Sequence, residues 1–463
     1  MNRRAAIGFG WFGGWLVCLL MTVLLYNELT LAHCPALLLS LPALFGAGRA
    51  CFTALQPDEP LLTPKNIALF VWFNKLVIIP VMLLVAGNQV AKFERLPSPL
   101  VWETAILSVA FLAFWAGCQW HENRHRAILS QAKEASQKTG SVGVGLIFLA
   151  VGLWALLYQF GSLAEYGQRA ILKISAETFN REMTGNVLGF AATLGARFLP
   201  FGVLVIWAEV RPVTGWHWKN GLALLACGAA SLSSNRANLL YPTLAMLAVM
   251  LAGQGVRHKA IFLILAMPLL AGVFFFSLVR SQTTFAIADL PVLAGAFWRG
   301  LDSLVMVYQL YFGSLYQLTP VLGIDPALTD NTLISSLLYS VPGVGRGFRE
   351  TSGVIAYNAA IYGSVAHPDQ VIPVAGEFFF NAGLPGVAGS HLLIGAGVCW
   401  LSRQFSRAVA RESSVEIGCW FYLALLYNAL ILLSLSVFVQ FLIFMAPPAL
   451  LLLVLSRKRV GPA

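Results

Sequence analysis

The stretch "GLALLACGAASLSSNRANLLYPTLAMLAVMLA", residues 221–252, decides the fold class of this chain, because Arg236 is the only charged residue in it. A transmembrane helix needs about 20 apolar residues, and this run is too long for one crossing. A lone charge at the centre of a bilayer is also costly. We therefore predict two helices, near 221–232 and 237–252, joined by a tight turn at "SSNR" that places Arg236 at a hairpin tip near one membrane face.

The rest of the chain has the same apolar character. Its 463 residues are 58% hydrophobic and only 11% charged, which excludes an ordinary soluble protein. The apolar runs predict an all-α polytopic membrane protein with about 12 transmembrane helices. The predicted spans are 7–26, 31–47, 67–86, 100–120, 142–158, 187–207, 221–232, 237–252, 260–278, 378–401, 417–433 and 437–455.

The distribution of positive charge predicts the orientation. The net charge is +10, but the basic residues are spread through short loops, so it indicates membrane topology rather than nucleic-acid binding. An even number of spans places both termini on one side, and the positive-inside rule makes that side cytoplasmic. The seven cysteines lie in or beside apolar segments and are interpreted as small buried side chains.

This topology divides the chain into three parts. Residues 1–279 are predicted to form helices 1 to 9, with a smaller periplasmic loop at 161–186. Residues 280–375 form a large periplasmic loop with amphipathic helices, and residues 376–463 form helices 10 to 12.

Several arginines lie at the predicted outer face of the membrane. A guanidinium fork stays charged and matches phosphate oxygens, so arginines that converge there would suit a diphosphate. Glycines 343, 345 and 347 would let backbone N–H groups approach the same anion. The alternative is that each arginine reaches lipid headgroups or pairs with a nearby carboxylate. The candidates are Arg197, Arg236, Arg280, Arg299, Arg346 and Arg349.

Few residues could act as a catalytic base. The outer loops contain no Asp-x-Asp pair and no His/Cys cluster, so we expect neither a metal nor a cofactor. Glu377 stands at a membrane boundary, where desolvation favours the protonated carboxyl and suits a general base. An ion pair with a loop arginine is the alternative. His367 is the second candidate, or a plain surface histidine, whereas Asn74 and Lys75 are interpreted as interfacial or helix-packing residues.

Four segments resemble one known family, the Wzy-type O-antigen or oligosaccharide repeat-unit polymerases, and within it the enterobacterial common antigen polymerase branch. The resemblance lies in a small-small-Arg-Ala-Asn turn, an arginine-led helix, a Pro-Gly-Arg stretch and a Gly-Glu…Asn…Gly pattern. These segments are "SSNRANLLYP", "FWRGLDSL", "YSVPGVGRGFRE" and "GEFFFNAGLPG". The long-spaced arginine–glycine motifs of some O-antigen polymerases are missing, which leaves the division of donor and acceptor between the two outer loops open.

The resemblance implies a GT-C-like fold and metal-independent glycosyl transfer at the periplasmic face of the bacterial inner membrane. A glycan on undecaprenyl diphosphate would be the donor, and a hydroxyl of a lipid-linked repeat unit would be the acceptor. The product would be an O-antigen or a related surface glycan. The six arginines would bind the diphosphate or the adjoining glycan, and Glu377, or else His367, would deprotonate the acceptor. Membrane lipids and a Wzz-type chain-length regulator are the implied partners.

Three other roles fit the sequence less well. An O-antigen ligase, which moves a finished chain to lipid A core, would favour a loop histidine such as His367 as the base. A lipid-linked glycan transporter would need polar residues along a route through the membrane, whereas the charges here gather at one face. A non-enzymatic scaffold predicts that arginine substitutions change nothing in vitro.

Overall fold

The computed structural model describes residues 62–78, 101–125, 142–166, 187–210, 218–231, 236–252, 315–324, 332–348, 351–363 and 371–457. These residues are mostly helical and contain no β-strand, so the predicted all-α class is confirmed for them. The helices are α1 Pro64–Phe73, α2 Val101–His125, α3 Val142–Phe160, α4 Val187–Gly195, α5 Leu199–Val210, α6 Trp218–Ala230, α7 Arg236–Leu251, α8 Leu315–Leu322, α9 Thr332–Leu338, α10 Gly353–Tyr362, α11 Val374–Ala410, α12 Ser414–Tyr427, α13 Ala429–Leu432, α14 Leu435–Phe444 and α15 Pro447–Arg457.

Four helical segments of the described chain are long and apolar enough to cross a membrane: Val142–Phe160, Val187–Val210, Val374–Ala410 and Ser414–Leu432. A fifth consists of α14 and α15, which are bent by 53° at a short break. All five coincide with predicted spans. The spans predicted at 7–26, 31–47 and 260–278 lie outside the described residues, so the structure agrees with a membrane protein without fixing the total of 12.

The stretch that opened the sequence analysis folds as two helices. Helix α6 ends at Ala230 and α7 begins at Arg236. Leu224, in the middle of α6, packs against Leu247 and Leu251 near the end of α7. The two helices therefore run antiparallel, as a hairpin requires.

Helices α2 and α11 touch backbone to backbone. A Cβ built on Gly117 would lie 2.0 Å from the carbonyl oxygen of Leu392, and one built on Gly395 would lie 2.0 Å from that of Phe114. Only glycine permits so close an approach at either position. Small residues that let helix backbones meet are a main source of helix association within membranes, where apolar burial drives little.

Sulfur contacts show that α2 and α11 run parallel. The Cys118 thiol donates to the backbone carbonyl of Gly395 over 3.3 Å. One turn further along both helices, the Cys399 thiol lies 3.9 Å from Glu122 Oε1. Because the partners advance together, both helices enter the bundle from the same end.

The neighbouring helices pack antiparallel. Gly145 near the start of α3 meets Gly202 in α5, whereas Gly152 further along α3 meets Leu199 at the start of α5. Helix α12 returns along α11, with the rings of Phe405 and Phe421 5.8 Å apart. Helices α11 and α12 are joined by the short segment 411–413, which suits adjacent antiparallel spans.

Three short helices cover the N-terminal end of α11. Thr319 in α8 donates to the buried carboxylate of Glu103 in the first turn of α2, over 2.9 Å. Leu318 and Val321 of α8 pack against the position of Gly376 in α11. Helices α8, α9 and α10 all belong to the region predicted as the large loop, and we refer to them as the roof.

A break separates the first turns of α11 from the rest of the helix. Gly383 adopts φ 61° and ψ −159°, a conformation that is essentially restricted to glycine. Pro385 follows and cannot donate to the helical hydrogen-bond ladder. The Gly and Pro of "NAGLPG" therefore set the angle between the roof-covered turns and the long membrane segment.

We expect Gly395→Ala to destabilise the protein by about 1–3 kcal/mol, because the added methyl group forces α2 away from α11. The matched control is Gly389→Ala in the same helix, where a Cβ meets nothing within 4 Å. Gly389→Ala should leave the free energy of unfolding unchanged or raise it by up to about 1 kcal/mol, because alanine favours a helix more than glycine does. Thermal unfolding of the two purified variants in detergent measures the difference, and equal midpoints would contradict it.

Candidate functional site

Glu377 lies in the first turn of α11, beneath the roof. Its side chain is 1% exposed, and neither carboxylate oxygen has a hydrogen-bond partner. Oε1 lies 2.9 Å from the point where a Cβ on Gly353 would stand, and Gly353 is the first residue of α10. The carboxylate is thus held at a helix N-terminus, where the unsatisfied N–H groups and the helix dipole favour negative charge.

A second unsatisfied polar group faces this carboxylate. Ser336 of α9 is completely buried, and its hydroxyl lies beside the Glu377 carboxylate, close enough to interact with it but outside regular hydrogen-bond geometry. Buried polar atoms normally have hydrogen-bond partners. Two adjacent groups without such partners therefore indicate a functional site rather than a contact that stabilises the fold.

Hydrogen bonds hold the walls of this site in place. Asn381 Nδ2 donates to Thr332 Oγ1 and to the carbonyl of Glu377, both over 2.7 Å, and so ties α9 to α11. The hydroxyls of Ser335 and Thr351 lie 2.8 Å apart and link α9 to the segment that precedes α10. The walls are therefore rigid, whereas the carboxylate at their centre is unpaired.

This arrangement can accept a proton from a hydroxyl group. An unpaired carboxylate in a water-poor, hydroxyl-lined site is a suitable general base, since nothing competes for its lone pairs. The alternative interpretation, an ion pair between Glu377 and a loop arginine, is not seen among the described residues. We call Glu377, Ser336, Gly353, Thr332 and Asn381 the acidic chamber.

Arg197 is the predicted arginine whose side chain belongs to the described part of the chain. Arg197 lies in the 3₁₀ turn Ala196–Phe198 that joins α4 to α5, near the middle of the span Val187–Val210. Its Nε atom is buried without a hydrogen-bond partner. The guanidinium interacts electrostatically with the phenols of Tyr166 and Tyr422. A half-buried arginine in a membrane segment without a carboxylate beside it is a candidate for binding an anion.

The start of α7 lies close to the same tyrosines. The phenol of Tyr241 interacts electrostatically with that of Tyr422, and Tyr166 donates to the carbonyl of Ala229 at the end of α6. Arg236 precedes Tyr241 by about one and a half helical turns, or ~7 Å of rise. The backbone of Arg236 thus begins a helix in the region that contains Arg197.

The remaining candidates are only partly described or not described at all. The backbone of Arg346 belongs to the 3₁₀ turn Gly345–Phe348, but its side chain, like that of Arg236, lies outside the described part of the chain. The other four candidates also lie outside it: Arg280, Arg299, Arg349 and His367. Their convergence on one anion stays a prediction.

Two of the three loop glycines that were predicted to let backbone N–H groups approach an anion use their own N–H groups within the turn. The N–H of Gly345 donates to the carbonyl of Val341 over 2.8 Å, and that of Gly347 donates to Val344 over 3.3 Å. Both N–H groups therefore already form hydrogen bonds within the turn. Gly345 is needed instead for close packing, since a Cβ there would lie 2.2 Å from the carbonyl oxygen of Tyr339.

Sequence reasoning missed two residues. Ser336 lies in "TLISSLLY", which carries no signal beyond an apolar helix, so only the packing of α9 on α11 identifies it. Lys75 was interpreted as interfacial or as a helix-packing residue without a functional role, and its 3% exposure inside the helix bundle agrees with the second interpretation. A cation among apolar residues was the available signal.

Comparison with known proteins adds no assignment: no protein-family model, no curated protein and no solved structure matches this chain. Within the described ranges, no three His, Cys, Asp or Glu side chains lie together as a metal site.

We expect Glu377→Gln to leave the unfolding midpoint at or above that of the wild type, because the change removes a buried carboxylate that nothing compensates. Glu122→Gln is the matched control, since Glu122 forms an ion pair with Lys65 that the substitution breaks. Its midpoint should fall. Thermal unfolding of both variants in detergent tests this, and a comparable fall in Glu377→Gln would mean that its carboxylate is structurally required.

Proposed function

We propose that this protein polymerises oligosaccharide repeat units carried on undecaprenyl diphosphate, by metal-independent glycosyl transfer at the periplasmic face of the inner membrane. The observation that carries the proposal is the acidic chamber, in which a buried carboxylate without a partner faces an unpaired hydroxyl at the end of a membrane helix. The resemblance of four sequence segments to the Wzy-type polymerases supplies the substrate class.

The course of the helices supports this assignment. Helices α2 and α11 run parallel, so their first turns lie at the same end of the bundle, as they should if both cross from the periplasm inward. The buried carboxylates of Glu103 and Glu377 both belong to those first turns, and the roof covers that end. An acceptor glycan that arrives from the periplasm would meet the acidic chamber first.

In the proposed reaction Glu377 takes the proton of the acceptor hydroxyl, and the oxygen attacks the anomeric carbon of the donor glycan. A new glycosidic C–O bond forms as the bond from that carbon to the diphosphate breaks, and undecaprenyl diphosphate leaves with the electron pair. Guanidinium groups stabilise the negative charge that develops on the leaving group. The candidates are Arg197 and Arg236, which belong to described helical segments, and Arg280, Arg299, Arg346 and Arg349 from the region that precedes α11.

We expect Glu377→Gln to lower the rate of polymerisation by about 10²–10⁴-fold, the usual contribution of a general base. The assay uses purified protein in lipid vesicles with lipid-linked repeat units, and reads the ladder of chain lengths on a gel. Glu122→Gln should keep most of the activity, because Glu122 lies at the opposite end of α2. Full activity of Glu377→Gln, with folding intact, would exclude Glu377 as the base.

The same assay separates polymerase from ligase. A polymerase makes a ladder from lipid-linked units alone, and a strain that lacks ligase should still contain it. A ligase makes no ladder and instead requires lipid A core as the acceptor. Activity that is unchanged by EDTA would agree with a metal-independent transfer.

We expect Arg236→Ala to abolish elongation while the amount of protein in the membrane stays near normal. Arg236→Lys should restore little activity if the contact to phosphate is bidentate, because an ammonium group cannot reproduce the planar fork. Product length on gels and protein abundance on immunoblots measure the two quantities. Wild-type product length in both variants would favour the alternative that Arg236 reaches lipid headgroups.

A further inference from the structure

A second unsatisfied polar site lies deep in the bundle, away from the acidic chamber. Lys75 belongs to the π-helical turn Asn74–Ile78 that continues α1, and its side chain is 3% exposed. No carboxylate in the described part of the chain pairs with it. π-helical turns occur frequently at functional sites, and a buried cation in a membrane protein usually faces a partner or a ligand.

Trp72 provides a second unpaired donor next to Lys75. Its side chain is 1% exposed, and Nε1 has no hydrogen-bond partner. The two residues are one helical turn apart and so face the same side of the helix. An indole N–H and an ammonium group can only donate, so the pair requires a ligand that accepts hydrogen bonds.

His391 of α11 packs against this site but supplies no negative charge that could neutralise Lys75. Its ring packs 5.9 Å from that of Trp72, and it interacts electrostatically with Lys75. The Nδ1 atom lies 2.9 Å from the carbonyl oxygen of Val387. Because a carbonyl only accepts, Nδ1 carries the hydrogen.

The depth of the site favours a ligand that neutralises the ammonium form of Lys75. Lys65, which pairs with Glu122, marks one end of α1 and α2. Lys75 lies about 15 Å further along its helix, at 1.5 Å per residue, in a bilayer whose hydrocarbon core is about 30 Å thick. A water molecule could accept both hydrogen bonds, and an anion would in addition compensate the charge of the ammonium group.

We infer that Trp72 and Lys75 form a binding site for a small monovalent anion, for which chloride is the probe. This site does not belong to the proposed glycosyl transfer, since Glu377 precedes the break at Gly383 whereas His391 lies about 12 Å beyond that break along α11. Its occupant would neutralise Lys75 and fix the π-helical turn against α11.

Chloride should therefore stabilise the folded protein. The experiment measures the unfolding midpoint of the purified full-length protein in detergent, with sodium chloride replaced stepwise by sodium gluconate at constant ionic strength. The wild-type midpoint should rise with chloride and saturate. Lys75→Met, which keeps the length of the side chain and removes its charge, should unfold at a midpoint that no longer depends on chloride.

Trp72→Phe is the second variant, in case Lys75→Met fails to fold. It keeps an aromatic ring and removes only the N–H donor, so the chloride concentration at half-maximal stabilisation should rise about tenfold. Glu377→Gln should keep the full chloride response, which separates this site from the acidic chamber. No chloride response in the wild type, or an equal response in the wild type and Lys75→Met, would overturn the inference.

Discussion

The contact between α2 and α11 is the constraint on which the described structure depends. Two glycines, Gly117 and Gly395, let the backbones meet, and each lies against a carbonyl oxygen of the facing helix. Apolar burial drives little association between helices in lipid, so close packing of this kind supplies the cohesion. Because the two helices run parallel, the contact also fixes which ends of the bundle come together.

Both candidate sites lie against α11, but at different depths. The acidic chamber lies at the N-terminal end, where the roof excludes solvent from Glu377 and Ser336. The site of Trp72 and Lys75 lies near the middle, against His391. Each contains buried polar atoms without partners, which lower the stability of the fold. Such groups persist where a ligand or a reaction uses them.

The sequence predicts the helices of the roof, but not the surroundings that they create for Glu377. The sequence predicts a long polar region with helices before α11, and short helices α8, α9 and α10 lie there. Glu377 was identified as a candidate because a carboxylate stands beside an apolar run. Its isolation could not be predicted, because it depends on Ser336 and Gly353, which reach it only through the packing of α9 and α10 on α11.

The sequence by itself determined the all-α class of the described residues, the positions of five apolar spans and the division of 221–252 into two helices, since these depend on runs of apolar residues along the chain. Only the tertiary structure decided that Glu377 is unpaired, that Lys75 is buried beside Trp72 rather than interfacial, and that two of the loop glycines have no N–H to offer. The physical reason is that pairing and burial depend on which distant segments meet. A helix pattern specifies where each segment begins and ends, but not what stands opposite its side chains.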